Sequence, residues 1–169
     1  MKNNTVIAET ERLILRRYTE ADIEDLCEYL SNPKVVEFEP YQPMTFEEVK
    51  DELKERICSD EMIAVELKEN HKLIGNVYLG KRDFHALEMG YARESCMQLM
   101  KLAFENGIHR IYAECDPENK NSWKLLETLG FTREAHLRKN VYFWCDENGE
   151  PIWKDTFIYV SSEENRVLV

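Results

Sequence analysis

One stretch of the chain concentrates residue types able to hold and polarise a ligand: Glu114-Cys115-Asp116-Pro117-Glu118-Asn119-Lys120-Asn121-Ser122. The apolar run 108–115 reads as a buried strand, and Asp116-Pro117-Glu118 links it to a helix whose first turn contains Asn119 and Ser122. An Asn at a helix start accepts a hydrogen bond from a backbone N–H left over there, and a hydroxyl three residues on addresses the same opening. The pair either edges a ligand site or only satisfies the helix terminus, and spacing allows both. Asp155 falls in Trp153-Lys154-Asp155 on the last strand, while Tyr142, Trp144 and Trp153 offer aromatic surface for a ligand, for packing or for dimer contacts. His71, His85, His109 and His136 are scattered without a metal-ligand pattern, so no metal is expected and they read as loop or surface residues. No Walker-type phosphate loop is present.

The elements around these residues follow from periodicity and punctuation. Residues 11–17 alternate as a strand; Thr19 caps a helix with Asp22 at its third position and Ile23, Leu26, Cys27 and Leu30 on one face, stopped at Ser31-Asn32-Pro33. Thr45 and Glu48 have capping-box spacing before a second helix with Phe46, Val49, Leu53 and Ile57 as its apolar face. Residues 62–67 and 73–79 predict an antiparallel hairpin, followed by a short apolar segment at 86–89. Cys96, Leu99, Met100, Ala103 and Phe104 mark a helix ended by Asn106-Gly107, and residues 119–129 another ended by Gly130. A strand from Phe131 through 141–144, the turn 146–149 and a last strand at 152–160 complete the order. The strands either side of the 119–129 helix should be adjacent and parallel, the terminal hairpin antiparallel. The fold class expected is a layered α/β domain with a mixed, mostly antiparallel sheet flanked by helices.

The chain has 169 residues, which suits a single domain, 1–169, with a core of 10–160. A formal charge of −11 argues against broad nucleic-acid binding and favours a cationic or amine-bearing partner. No apolar run reaches the roughly 20 residues that span a bilayer, and Val6-Ile7-Ala8 is too short for a secretory core, so no membrane partner and a cytoplasmic location are expected. Five cysteines without a CxxC pair read as free thiols in a reducing compartment.

Taken together, Asn119-x-x-Ser122, Leu129-Gly130-Phe131, the opening Thr10-Glu11-Arg12-Leu13-Ile14-Leu15-Arg16, Asn32-Pro33 and the late Trp153-x-Asp155 resemble the GCN5-related N-acetyltransferase superfamily. The similarity points to the branch of ribosomal-protein amino-terminal acetyltransferases and runs over 10–160. It implies an acyl-CoA N-acyltransferase-like fold in which acetyl-CoA lies in an opening between splayed strands beside Asn119. There the acceptor amine attacks the thioester directly. Cys115, Asn119 and Ser122 would lie beside the cofactor, with Ser122 donating a proton to the leaving thiolate. Met89, Gly90, Tyr91, Ala92 and Arg93 would bracket the phosphate-binding helix start, with backbone N–H groups at 89–91 polarising the carbonyl and Arg93 either meeting a phosphate or standing in solvent. Glu114 or Asp155 would accept the amine's proton through water, with Glu20 and Glu88 as weaker choices. Cys115 is assigned to packing rather than covalent catalysis. The acceptor pocket would draw on 37–46 and the 139–155 hairpin, including Tyr142, Trp144 and Trp153. The acceptor itself would be a small primary amine or a peptide amino terminus. A noncatalytic CoA-binding or protein-interaction domain is the alternative, and a homodimer through an edge strand or the last hairpin is open.

One passage departs from this pattern. Leu87-Glu88-Met89-Gly90-Tyr91-Ala92-Arg93-Glu94-Ser95 holds both ends of a strand, glycine-rich loop and helix start, with about ten residues fewer between them, and the lost amides are those that would cradle a pyrophosphate. The intact patterns on either side favour a loop of ordinary length over a truly shortened one.

Overall fold

The structure, a computed structural model, describes residues 5–80, 84–85 and 91–162. By its internal contacts the chain divides into two compact units, Met1–Leu99 and Met100–Val169. The sequence runs without interruption from Leu87 to Ser95, so that passage is short in the protein itself, contrary to the expectation of ordinary length. The apolar segment at 86–89 lies outside the described residues.

The first unit is built on a sheet of β1 (Val6–Glu9), β2 (Leu13–Arg16), β3 (Met62–Leu67), β4 (Leu73–Leu79) and β5 (Phe84–His85), in that order and antiparallel throughout. The expected strand at 11–17 begins only at Leu13, because a turn closed by the Thr10 N–H on the Leu13 carbonyl at 3.0 Å folds the chain back and makes β1. After Thr19 a single 3-10 turn, Glu20–Asp22, leads into α1 (Ile23–Leu30). The Asp22 carboxylate takes the Thr19 N–H at 2.7 Å, as the capping pattern predicts. α2 (Phe46–Cys58) starts with the expected reciprocal cap, the Glu48 carboxylate accepting the Thr45 N–H at 2.7 Å. Tyr18, Leu26, Leu30, Val49, Leu53, Ala64 and Leu73 form one buried cluster between the two helices and the sheet. Phe46 is a correction: although it stands on the same helix face as Val49 and Leu53, at the first helical position it is 47% exposed, under the Lys50 ammonium.

α3 (Tyr91–Glu105) buries Cys96, Leu99, Met100 and Phe104. It ends as predicted at Gly107, whose φ of 81° lets the Ile108 N–H return to the Ala103 carbonyl at 3.1 Å.

The second unit contains β6 (Arg110–Cys115), α4 (Lys120–Thr128), β7 (Thr132–Cys145) and β8 (Pro151–Ser162). Its strand order is β6-β8-β7 with both ladders antiparallel. This overturns the expected parallel neighbours. β6 and β7 do run the same way, but β8 folds back from the turn at 146–150 and enters between them, where Thr156 and Tyr159–Ser161 are buried. α4 covers one face, with Leu125 and Leu126 buried and Glu127 accepting the Tyr159 hydroxyl at 2.9 Å. The fold is α/β, with antiparallel sheets flanked by helices. No helix among the described residues is long and apolar enough to cross a membrane.

Candidate functional site

At the end of β6 the chain must turn at once into α4, and several bonds hold that turn. Asn119 is the helix cap, its side-chain oxygen accepting the Ser122 N–H at 3.1 Å. Asp116 Oδ1 accepts the Glu118 N–H at 2.8 Å, and the Trp123 indole N–H reaches the Pro117 carbonyl at 3.3 Å. From β8, Lys154 Nζ spans the link, 3.1 Å from Asp116 and 2.8 Å from Glu118. The backbone of Ser122 is thus fixed independently of its hydroxyl.

That hydroxyl acts on the thiol of Cys115, the last residue of β6, favouring its ionised form. Burial pushes the Cys115 thiol up to about 11, outweighing the lowering effect of the Ser122 hydroxyl, so the sulfur stays protonated at neutral pH and is a poor nucleophile. In timed iodoacetamide labelling at pH 8 read by peptide mass, the exposed Cys58 and Cys145 should react well before Cys115, whose rate should climb as pH rises towards 11. Equal rates at pH 8 would show the thiol to be unburied.

Cross-strand register carries the site sideways from Cys115. Cys115 stands opposite Phe157, and Phe157 opposite His136, so the three side chains form one row on the face that α4 partly covers. The His136 and Phe157 rings meet edge to face, centroids 4.9 Å apart. Two residues back along β8, on the same face, Asp155 lies 2.7 Å from His136 Nε2 and accepts the Lys139 N–H at 2.9 Å. These two bonds, Lys139 foremost, hold the Asp155 carboxyl below the usual carboxylate range. Two residues further back, Trp153 packs edge to face on Tyr142, centroids 5.2 Å apart.

Ser122, Cys115, Asp155, Tyr142 and Trp153 therefore share one face of the second unit. Glu114 does not, since strand alternation turns it to the opposite side from Cys115. Trp144 is partly exposed beside an irregularity in the β7–β8 pairing. His136 is the residue that sequence reasoning missed. Its bond to Asp155 depends on pairing across nineteen positions and past several bulges, which no short stretch of sequence reveals.

In the first unit, Tyr91, Ala92 and Arg93 begin α3. Ala92 is fully buried, Arg93 is exposed, and the Tyr91 ring lies under the Arg12 guanidinium, 4.8 Å from its centroid. Glu94, in the same first turn, is committed elsewhere: it takes Arg12 Nε at 2.8 Å and the Arg12 backbone N–H at 3.1 Å, and it bonds the Thr10 hydroxyl. An acidic residue where an anion is expected is thereby neutralised from the opening segment. Met89, Gly90 and Glu88 lie outside the described residues, and Glu20 is exposed in its 3-10 turn. Within 37–46, Tyr41 and Met44 turn inward against the cluster between α1 and α2.

Comparison with known proteins shows the family to which the chain belongs. An uncharacterized N-acetyltransferase, YnaD, of Bacillus subtilis is 27% identical, covering 92% of this chain and 96% of its own. The alignment is 169 positions long yet uses 92% of this chain, so the relative carries residues with no counterpart here. A crystal structure of a GNAT-family acetyltransferase from Bacillus anthracis superposes with a TM-score of 0.80 at 27% identity, covering 92% of this chain and 98% of that one. The fold is shared too with spermidine N-acetyltransferase from Vibrio cholerae, solved with CoA and spermine, at a TM-score of 0.72 and 20% identity over 92% of this chain and 98% of that one. The acetyltransferase (GNAT) domain model matches residues 12–132, and the chain belongs to that family as an acetyl-CoA-dependent acetyltransferase.

Proposed function

We propose that the protein transfers the acetyl group of acetyl-CoA to a primary amine, with a protein or peptide amino terminus as the acceptor, and that its 169 residues act as one domain with a core of about 10–160. The observation that carries this reading is the row on the second unit's face: a hydroxyl at Ser122 whose backbone is held by the Asn119 cap, a carboxylate at Asp155 and the aromatic pair Tyr142 and Trp153. Ser122 protonates the departing thiolate, and Cys115 and Asn119 flank the thioester arm. Met89, Gly90, Tyr91, Ala92 and Arg93 serve the phosphate end, with the exposed Arg93 guanidinium as its cationic donor. Asp155 is the carboxylate proposed to draw off the amine's proton, Glu114 being turned to the reverse face of β6. Tyr142, Trp144 and Trp153 supply the acceptor's contact surface. The placement nearest ribosomal-protein amino-terminal acetyltransferases rests on the Thr10–Arg16 opening and Trp153-x-Asp155, and the net charge of −11 suits a cationic acceptor.

Incubation with acetyl-CoA and a panel of amino-terminal peptides, polyamines and small primary amines tests the proposal, read by released thiol and product mass. Peptides should gain one acetyl group at the α-amine, and acetyl-CoA should raise the thermal midpoint. Acetylation of polyamines alone would overturn the acceptor class. The short 87–95 passage favours a second reading, a noncatalytic CoA-binding domain; thermal stabilisation with no transfer to any amine would support it.

A further inference from the structure

The far part of the β7–β8 hairpin exposes apolar side chains on both of its faces. β6 pairs with residues 157–162 of β8, and beyond them residues 137–156 run on, among the described residues, as a two-stranded ribbon. Such a ribbon is marginal alone and is steadied by packing. One face carries Tyr142 and Trp153, the proposed acceptor surface. On the reverse face Leu137 stands opposite Thr156 and Val141 opposite Lys154, and alternation adds Phe143 and Ile152, the neighbours of Tyr142 and Trp153. Leu137, Phe143 and Ile152 are 41%, 41% and 47% exposed. We infer that this reverse face is the contact between two copies of the chain, packed face to face about a two-fold axis beside Phe143.

Charge selects a second copy as the occupant. Arg138 and Lys139 are exposed at the base of the ribbon, Glu147 and Glu150 at its tip. Arg138 acts on Asp155 from a distance, and no salt bridge among the described residues uses any of the four. Lys154, on the same face, is taken by Asp116 and Glu118. Lys139 and Glu147 lie four positions either side of Phe143, so base and tip are about 25 Å apart with Phe143 midway. A copy rotated by half a turn about that midpoint lays its acidic tip on the first copy's basic base and receives the first copy's tip in return. The same rotation gathers Phe143 and Ile152 of both copies at the axis. A uniformly acidic or basic partner would be attracted at one end of the ribbon and repelled at the other.

The contact is between faces and not between strand edges. β7 is the outer strand of its sheet, but its pairing shifts between Arg133 and Ala135, between Leu137 and Val141 and between Tyr142 and Cys145. Such irregularities bend an edge away from a further strand, so the assembly closes at two copies. A ribbon about 25 Å long and two strands wide offers less than the roughly 800 Å² per partner of a standard interface, which makes the dimer a weak one, with Kd on the order of 10 µM. Tyr142 and Trp153 stay accessible on the other face, so the dimer and the transferase reading are tested separately.

The net charge of −11 on each copy is a long-range repulsion, and about 0.15 M salt screens it beyond about 8 Å while sparing charges in contact. In that salt, sedimentation equilibrium of the full chain between about 1 and about 300 µM should show monomer passing to dimer. Phe143→Asp and Ile152→Asp, one on each strand, should each weaken dimerisation at least about 30-fold with the far-UV circular dichroism unchanged. Charge reversal tests the head-to-tail arrangement itself. Arg138→Glu with Lys139→Glu makes both ends of the ribbon acidic, and Glu147→Lys with Glu150→Lys makes both ends basic. Each double variant should be monomeric alone, and an equimolar mixture of the two should form a heterodimer near the parent's affinity. Association gained on mixing cannot come from misfolding. A parent that stays monomeric to about 300 µM overturns the inference. So does a dimer that Phe143→Asp leaves intact, a mixture of the charge variants that forms no heterodimer, or a dimer broken by Tyr142→Asp and not by Phe143→Asp.

Discussion

Arg16→Met is expected to lower the stability of the protein by about 3–5 kcal/mol, the largest effect of any single change outside the apolar core. The Arg16 side chain is 6% exposed and lies between two carboxylates, Asp22 and Glu66, that are 5% and 7% exposed. It grips Asp22 with two parallel bonds of 2.8 and 2.6 Å, donates to Glu66 through Nε, and reaches the Arg17 carbonyl at 3.1 Å. Methionine fills much of the same volume but leaves both carboxylates buried without their cation. Thr19 and His71 remain as partners, the former giving its N–H to Asp22 and the latter lying 2.7 Å from the second oxygen of Glu66. Neither replaces a full charge. Urea unfolding followed by circular dichroism measures the loss as a lower midpoint with an unchanged slope. The triple variant Arg16→Met, Asp22→Leu, Glu66→Leu should recover most of it, because the cost lies in unpaired charge and not in absent attraction. A single-variant loss below about 1 kcal/mol would mean that water reaches the cluster.

The same residues show how far local signals extend. Thr19 with Asp22 and Thr45 with Glu48 are readable because a cap needs only neighbours, and both caps form. That Asp22 also holds Arg16, and that Glu66 lies on the cation's other side, needs β2 and β3 laid in register, which no short window contains. Phe46 fits a helical apolar face by spacing, yet at the first helical position it has no neighbour to pack under. The order β6-β8-β7 was lost for a related reason. A strand, helix, strand passage invites parallel neighbours, and only the burial of β8 on both sides shows it to be the central strand. In the site, Asn119 and Ser122 are three residues apart and could be read directly, and alternation from Cys115 assigns Glu114 to the other face. His136 could not be read. Irregularities in β7 between Arg133 and Ala135 and between Leu137 and Val141 set its direction, and a slip of one residue would send it to the opposite face.

Ser122→Ala is the substitution with the largest expected effect on turnover, a fall in kcat of roughly 10²-fold. When the C–S bond breaks, charge collects on sulfur, and a hydroxyl hydrogen-bonded to it only at that stage stabilises the transition state more than the bound thioester. The loss should therefore fall on kcat, with KM for acetyl-CoA little changed. The substitution is informative because its structural cost is small. The bond to Asn119 comes from the backbone N–H of residue 122, which alanine keeps, so α4 retains its cap and the thermal midpoint should stay within about 1 °C of the parent. What changes is the neighbour of Cys115, whose thiol remains protonated through burial. That thiol is a weaker donor than a hydroxyl and covers part of the loss at most. Ser122→Thr keeps the hydroxyl and should recover much of the rate; Ser122→Cys should recover little. If alanine at 122 instead left kcat unchanged while raising KM, the hydroxyl would be a binding contact made equally in ground and transition states, and the departing sulfur would take its proton from water.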